Sequence, residues 1–221
     1  VWLARNQMRA AAVVAARAVG AIDFPVPPDS SMRKTSSTSL RHYYVSGIQC
    51  YMPILTMALQ KGIDFDSSIK ILDFGCGVGR QLLHFTQNHP TPSYYACDVD
   101  DTSVDFIAKN YPRVNSHASK FTPPLRYADG QFDMVYSVST FSHLNMDDQV
   151  LWLNEMARIT KPGGYCFLTT EGAFALQWLH EAFGRSLTAL REELSERGWL
   201  YKEYPDFEEN RASDDILKIT S

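Results

Sequence analysis

At 221 residues the chain is long enough for one sizeable α/β domain, or for one domain with an added helical segment. Its net charge of −4 supplies no basic field for capturing nucleic acid, so we expect no nucleic-acid partner. Four scattered cysteines show neither a CxxC pair nor zinc-type spacing, which indicates reduced thiols in a cytoplasmic protein without a metal site: Cys50, Cys76, Cys97 and Cys166.

The amino-terminal part divides into a helix and a linker. Residues 1–22 are rich in Ala and Val and carry three arginines but no acid. We expect a helix that belongs to a longer polypeptide or packs on a partner such as a second copy in a homo-oligomer; a targeting segment is the alternative. The arginines interrupt its apolar stretch, so we expect no membrane association. The predicted units are a helix and Pro/Ser-rich linker (1–39), cap or lid helices (40–67) and the main domain (68–221).

The pattern that follows predicts alternating helices and strands. A helix is predicted over 40–61, with Pro53 kinking or dividing it. The repeated βα units favour a Rossmann-like, doubly wound, mostly parallel sheet with helices on both faces. Strands are predicted at 69–73, 93–99, 114–117 (weak), 132–138, 165–169 and 216–220; helices at 80–88, 101–110, 147–160 and 174–197; and a turn at 161–164.

The decapeptide at 71–80, ILDFGCGVGR, is the most informative segment. A buried strand that ends in a glycine-rich turn before a helix is typical of a nucleotide-binding unit, although a plain tight turn also uses glycine. Gly75, Gly77 and Gly79 do not follow the G-x-G-x-x-G spacing of dinucleotide sites. Asp73 also places a carboxylate beside the ligand, which disfavours a pyrophosphate and indicates a cationic group.

A second acid strengthens this interpretation. Asp98 lies 19 residues after Gly79, at the end of the next predicted strand, where a carboxylate can accept hydrogen bonds from both ribose hydroxyls. The alternative is that Asp98 caps the helix at 101–110. Asp100 fits that capping role better, which leaves Asp98 available for a ligand.

Over residues 68–170 the chain resembles the class I S-adenosylmethionine-dependent methyltransferases, of the small-molecule type with a methyltransferase-11/25-like domain. Four segments carry the resemblance in unbroken order: DFGCGVG at 73–79, Asp98 with Val99, DGQFDMV at 129–135 and EMARITKPGG at 155–164. The family's sheet ends in an antiparallel pair, of which only 216–220 is recognisable, so we expect that pair to be incomplete.

The resemblance implies S-adenosylmethionine as cofactor, S-adenosylhomocysteine as product and an in-line displacement onto the O or N of a small-molecule acceptor. Asp73 would face the cofactor's ammonium, the N–H groups of the glycine turn its carboxylate, and Val99 its adenine. Ser119 or Lys120 would lie near the adenine amino group, and the backbone of 137–138 near the methyl. The implied cofactor-binding residues are Asp73, Phe74, Gly75, Cys76, Gly77, Gly79, Arg80, Asp98, Val99, Ser119, Ser137 and Val138.

One residue is a candidate for proton transfer. His143 follows the fourth predicted strand and could act as a base for a hydroxyl acceptor; a histidine bonded to backbone at a helix start is the alternative. Two other functions remain open at this point. The chain could be a catalytically silent cofactor-binding domain of a larger protein, or an NAD-type oxidoreductase built on the same sheet.

Overall fold

The structure, a computed structural model, describes residues 24–34, 37, 39–170, 172, 174–184, 186–198, 201–202 and 219–220. The helix expected at 1–22 lies outside these residues. The helices are α1 (Asp29–Lys34), α2 (Leu40–Gln60), α3 (Leu82–Asn88), α4 (Asp101–Asn110), α5 (Met146–Ile159), α6 (Phe174–Phe183) and α7 (Leu187–Arg197), with a 3₁₀ helix at Phe141–His143. The strands are β1 (Lys70–Phe74), β2 (Ser93–Asp98), β3 (Val114–Ala118), β4 (Phe132–Ser137), β5 (Thr160–Leu168), β6 (Tyr201–Lys202) and β7 (Ile219–Thr220).

Strands β1 to β5 form one parallel sheet in the order β3-β2-β1-β4-β5. The chain winds outward from β1 to β3 and then returns to place β4 on the other side of β1. In open parallel sheets, ligands bind at the carboxyl ends of the strands where the order reverses. The predicted Rossmann-like fold is confirmed, and the reversal between β1 and β4 locates the candidate site.

Alternating side chains send the sheet's two faces into separate apolar clusters. Ile71 packs with residues of α2, α3 and α4 on one face, whereas its neighbour Leu72 packs with α5 on the other. Strand β4 alternates in the same way, with Met134 and Val135 on opposite faces. The predicted helices on both faces are therefore present.

The segment before the sheet is more ordered than the linker predicted for it. Residues 29–34 form α1, and Phe24 and Met32 are buried in a cluster with Tyr43. Helix α2 runs through Pro53 as a single helix, so the proline does not divide it. Pro53 is exposed, and the helical carbonyl that loses its donor there is on the side where water can reach it.

Two further predictions differ from the structure. The turn expected at 161–164 is part of β5: Phe132 pairs with Thr160 and Met134 with Tyr165, so an irregularity in the ladder takes up the additional residues. The helix expected over 174–197 is interrupted at Gly184, whose φ of +62° is incompatible with a continuous helix.

The carboxyl-terminal pair is short and separate from the main sheet. Strands β6 and β7 are antiparallel to each other; β7 contains residues 219–220 of the strand expected at 216–220, and residues 216–218 lie outside the described residues. Among the helices that the structure describes, none has the length and apolar character required to cross a bilayer.

Candidate cofactor site

The glycine turn follows β1 at the reversal point of the sheet. Gly75, Gly77 and Gly79 have φ values of +74°, +49° and +80°, a region that residues with a side chain rarely adopt. A Cβ on Gly75 would collide with Thr140 Oγ1, and one on Gly79 would lie 2.7 Å from Ile107 Cδ1. The turn therefore needs glycine both for its backbone conformation and for its close contacts.

The N–H groups of this turn are already used within the protein. Gly75 N and Cys76 N donate to the Cys97 carbonyl at 2.8 and 3.1 Å, and Gly77 N donates to Asp98 Oδ2 at 2.7 Å. Gly79 N donates to the Cys76 carbonyl at 2.9 Å. These four groups face β2 and the turn itself instead of a ligand carboxylate, because the turn is fastened to the end of β2.

Asp98 lies at the end of β2, partly exposed. Its Oδ2 accepts from Gly77 N and its Oδ1 accepts from Asp100 N at 2.9 Å, and burial raises the pKa of the carboxyl. A carboxylate oxygen has more than one acceptor position, so these contacts leave capacity for ribose hydroxyls. Asp100, not Asp98, caps α4, with Thr102 N donating to it at 3.1 Å. Val99, 43% exposed, presents apolar surface beside the acid.

Asp73 is almost fully buried, with 2% of its surface exposed. Tyr136, which pairs with it across β1 and β4, donates its hydroxyl to Asp73 Oδ2 at 2.9 Å. Burial raises the pKa of Asp73 to about 7; the Tyr136 hydrogen bond and the positive charge of Arg80 oppose this rise, and the negative charge of Asp98 adds to it. Because its Oδ2 is bonded to Tyr136 and the side chain is buried, Asp73 would influence a cationic ligand through its charge when it is ionised.

The loop after β4 is folded onto the end of β1. Ser139 has a φ of +65°, unusual for a residue with a side chain, and its N–H donates to Thr169 Oγ1 at 2.8 Å. Thr140 Oγ1 donates to the Phe74 carbonyl at 3.3 Å. Ser137 is fully buried, and its Oγ has no hydrogen-bond partner among the described residues. The structure thus brings this predicted site segment next to the glycine turn.

The remaining predicted residues differ in what they present. Phe74 and Cys76 are buried in the two apolar clusters, so only their backbone borders the site. Ser119 N donates to the Asp98 carbonyl at 2.8 Å, which places Ser119 beside Asp98. His143 is half-buried at the end of the 3₁₀ helix, and its N–H donates to the Thr140 carbonyl at 3.0 Å. Val138 is half-buried against the apolar cluster of α2, α3 and α4.

Helix α2 supplies a residue that the sequence did not assign to the site. Tyr43 is fully buried, and its hydroxyl donates to the Val78 carbonyl in the glycine turn at 2.9 Å. One turn further along α2, a Cβ on Gly47 would collide with the Arg80 carbonyl, so the helix and the turn are in direct contact. The sequence signal was only the pair of tyrosines at the start of a predicted cap helix.

A metal centre is not apparent in the part of the chain that the structure describes. No three His, Cys, Asp or Glu side chains lie together there in a group that could hold an ion.

Comparison with known proteins agrees with this geometry. Residues 71–164 match the model of a methyltransferase domain. This segment is a class I S-adenosylmethionine-dependent methyltransferase domain. The recognition and the cofactor predicted from the sequence are confirmed, and the NAD-type alternative is set aside.

Three similar proteins illustrate the match. The tRNA N(3)-cytidine methyltransferase METTL2 of Danio rerio is 28% identical over 131 residues, 55% of this chain and 37% of that protein. Methyltransferase GfsG of Streptomyces halstedii is 27% identical over 116 residues, 50% of this chain and 40% of that protein. The PH0226 protein of Pyrococcus horikoshii OT3 has the same fold, with a TM-score of 0.50, 22% identity and coverage of 62% and 63%. The chain thus spans less than half the length of these two curated relatives.

One sequence-based expectation is wrong. The net charge led us to expect no nucleic-acid partner, and the family resemblance implied a small-molecule acceptor. Several relatives, including the METTL2 proteins of Danio rerio and Gallus gallus, are tRNA methyltransferases. Overall charge is a poor guide here because it averages the whole surface, whereas a nucleic acid responds to the charges near its own binding surface.

The residues present fit the cofactor of this class. Asp98 and the exposed Val99 offer an acid for the ribose and an apolar surface for the adenine, side by side at one strand end. Asp73 and Asp98 bring two acids to the carboxyl edge of β1 and β2, which suits a ligand that carries a sulfonium and an ammonium.

We expect Tyr43→Phe to weaken binding of S-adenosylhomocysteine roughly fivefold, because the change removes a hydrogen bond of about 1 kcal/mol that holds the glycine turn. Isothermal titration would measure the binding. Tyr51→Phe is the matched control: Tyr51 is also buried on α2, but its hydroxyl contacts His89 Nε2 at 2.9 Å, at the other end of α3. Equal loss of affinity in both variants would contradict a specific role for Tyr43.

We also expect S-adenosylhomocysteine to bind more tightly as pH rises from about 5.5 to about 7.5, and Asp73→Asn to flatten this dependence. Asp73 is partly protonated near pH 7 in the free protein, and a bound cation favours its ionised form, so binding releases a proton. Titration calorimetry in buffers of different ionisation enthalpy would detect that proton.

The unfolding free energy provides an independent check on Asp73. Since its folded pKa lies above its unfolded value of 3.8, the folded state binds more protons between the two values, and stability falls as pH rises through this range. Asp73→Asn should lessen that fall while its amide oxygen still accepts from Tyr136. If denaturant unfolding of Asp73→Asn had the same pH dependence as that of the parent protein, the raised pKa of Asp73 would be contradicted.

Proposed function

We propose that this protein transfers a methyl group from S-adenosylmethionine to a ring nitrogen of an RNA base, with N3 of cytidine in tRNA as the first acceptor to test. The observation that carries the proposal is the pair of acids at the carboxyl edge, Asp73 with Tyr136 and Asp98 with the glycine turn. Both acids lie where the sheet order reverses, as a class I cofactor site requires.

The protein's own contribution is to bind and orient. Asp98 would hold the ribose, Val99 the adenine, and the charge of Asp73 would favour the cationic end of the cofactor. Tyr43 and the Cys97 carbonyl keep the glycine turn in one conformation, so little reordering is needed on binding. When bound, the cofactor would supply the methyl group: the N3 lone pair forms the new N–C bond while the C–S bond breaks, and S-adenosylhomocysteine is the leaving group.

The acceptor chemistry agrees with a site that lacks an evident base. N3 of neutral cytidine carries a lone pair and no proton, so its methylation needs no proton removal. Among the predicted site residues the one candidate base, His143, is half-buried in the 3₁₀ helix. Support for the acceptor itself comes from the relatives, since those of Danio rerio and Schizosaccharomyces pombe are tRNA N3-methylcytidine-forming enzymes by name.

The test is methylation of unmodified tRNA by the purified chain with labelled S-adenosylmethionine, followed by nucleoside mass spectrometry. We expect label in N3-methylcytidine and none when cytidine is replaced at the modified position. Binding of S-adenosylhomocysteine without transfer to any tRNA would contradict the proposal and favour a silent cofactor-binding domain. Failure to bind S-adenosylhomocysteine would contradict the cofactor assignment as well.

We expect His143→Ala to keep kcat within about threefold of the parent protein and to leave its pH profile unchanged, because the acceptor has no proton to lose. A general base typically contributes 10² to 10⁴-fold, so its loss would lower kcat at least about a hundredfold. Single-turnover rates across pH distinguish the two cases. A large decrease with an altered profile would show that His143 transfers a proton and that the acceptor is protonated.

A further inference from the structure

The loop between β3 and β4 combines exposed groups with firm anchors. We call residues 120–124 of this loop the arch. At its base, Ser119 N donates to the Asp98 carbonyl at 2.8 Å. On the far side, Leu125 N donates to Glu155 Oε1 at 2.7 Å, and Arg158 Nη1 donates to the Tyr127 carbonyl at 2.9 Å. Both ends of the arch are therefore fixed to the domain.

The buried side chains around these anchors make them strong. Leu125 and Tyr127 are buried in the apolar cluster of α5, and Glu155, 5% exposed, is ion-paired with Arg158 at 2.6 Å. The Arg158 hydrogen bond and the Leu125 N–H lower the pKa of Glu155 against the opposing effect of its burial, so it accepts as a carboxylate. An arch held in this way presents its side chains with little loss of entropy on binding.

The arch exposes an aromatic ring to solvent. Phe121 is 70% exposed, the largest fraction among the exposed large hydrophobic residues of the described chain. A single exposed apolar residue is ordinary on a protein surface and indicates nothing by itself. Here Phe121 lies two residues after Ser119, whose N–H donates to the Asp98 carbonyl, so the arch begins next to the candidate cofactor site.

Positive charge accompanies the ring. Lys120 is the first residue of the arch and Arg126 follows it; both are exposed, and within the described ranges no acid forms an ion pair with either. Asp129, the one acid of this loop, is paired with Arg158 at 2.6 Å. Burial together with the charge of Arg126 lowers the pKa of His117 to about 4, so that field extends to the end of β3.

We propose that the arch is a surface that binds the substrate RNA, with Phe121 stacking on an unpaired nucleobase and Lys120 and Arg126 contacting phosphates. Exposed aromatic rings among cations are the usual means by which proteins hold unpaired nucleotides, because every base has a stacking face. This inference rests on the proposed function and names the RNA-binding surface of that site.

The test compares tRNA binding, measured by fluorescence anisotropy, with binding of S-adenosylhomocysteine, measured by calorimetry, on the full 221-residue chain. Phe121→Ala should weaken tRNA binding roughly tenfold without altering the salt dependence, and Phe121→Tyr should retain affinity. Lys120→Gln and Arg126→Gln should each reduce the slope of log affinity against log salt by about one. Phe121→Ala, Phe121→Tyr and Arg126→Gln should bind S-adenosylhomocysteine like the parent.

Two control variants match these changes in kind. Leu153→Ala removes an exposed apolar side chain on α5, and Lys109→Gln removes an exposed cation on α4. Neither should alter tRNA affinity beyond about twofold, as is usual for surface changes away from a contact. Melting temperatures of all variants would show that the fold is retained.

The outcomes separate this inference from the proposed function. If the parent chain methylates tRNA while Phe121→Ala and the two charge variants bind it like the controls, the arch is not the RNA surface. If Phe121→Ala weakens binding of S-adenosylhomocysteine instead, the ring covers the cofactor, which also overturns the proposal. If the parent chain neither binds nor methylates tRNA, the proposed function fails, and the arch proposal fails with it.

Discussion

The attachment of the glycine turn to the end of β2 is the interaction on which the site depends. The Cys97 carbonyl and the Asp98 carboxylate together accept three N–H groups of the turn, and Asp98 also accepts from Asp100, which caps α4. Buried polar groups need hydrogen-bond partners, so removing any one of these groups leaves its partner without a hydrogen bond and lowers stability. Turn, acid and helix therefore behave as one hydrogen-bonded unit, and a ligand bound at Asp98 is positioned by all three.

Charge adds a second constraint to that unit. Asp73, the second-last residue of β1, and Asp98, the last residue of β2, lie on neighbouring strands, and burial raises the pKa of each. Two nearby acids in a low-dielectric site favour protonation, and Arg80 only partly offsets this for Asp73. A ligand with positive charge at this edge stabilises the ionised acids. The same two acids would repel a pyrophosphate at this turn.

The sequence predicted the parts of the site that are local in the chain. The three glycines and Asp98 were recognised from their spacing in the sequence. In the structure the glycines adopt positive φ values, and Asp98 accepts a hydrogen bond from Gly77 N. Tyr136 and Tyr43 could not be assigned in that way, because their roles depend on the pairing of β4 with β1 and on the packing of α2 over the turn. Residues 161–164 were predicted as a turn from their Pro and Gly, but pairing with β4 incorporates them into β5.

The expectation of no nucleic-acid partner relied on the net charge of the whole chain, which does not describe the charge near the site. A net charge of −4 describes the whole chain, whereas screening limits an exposed charge to a range of about 10 Å. The loop after β3 has two exposed cations, and its one acid is paired with Arg158. The loop begins at Ser119, which is hydrogen-bonded to the Asp98 carbonyl. Under the proposal, the cofactor would contact the Asp98 side chain at the end of β2, and the RNA would contact the loop that is bonded to the Asp98 carbonyl. Binding of one ligand would then order this segment and favour binding of the other.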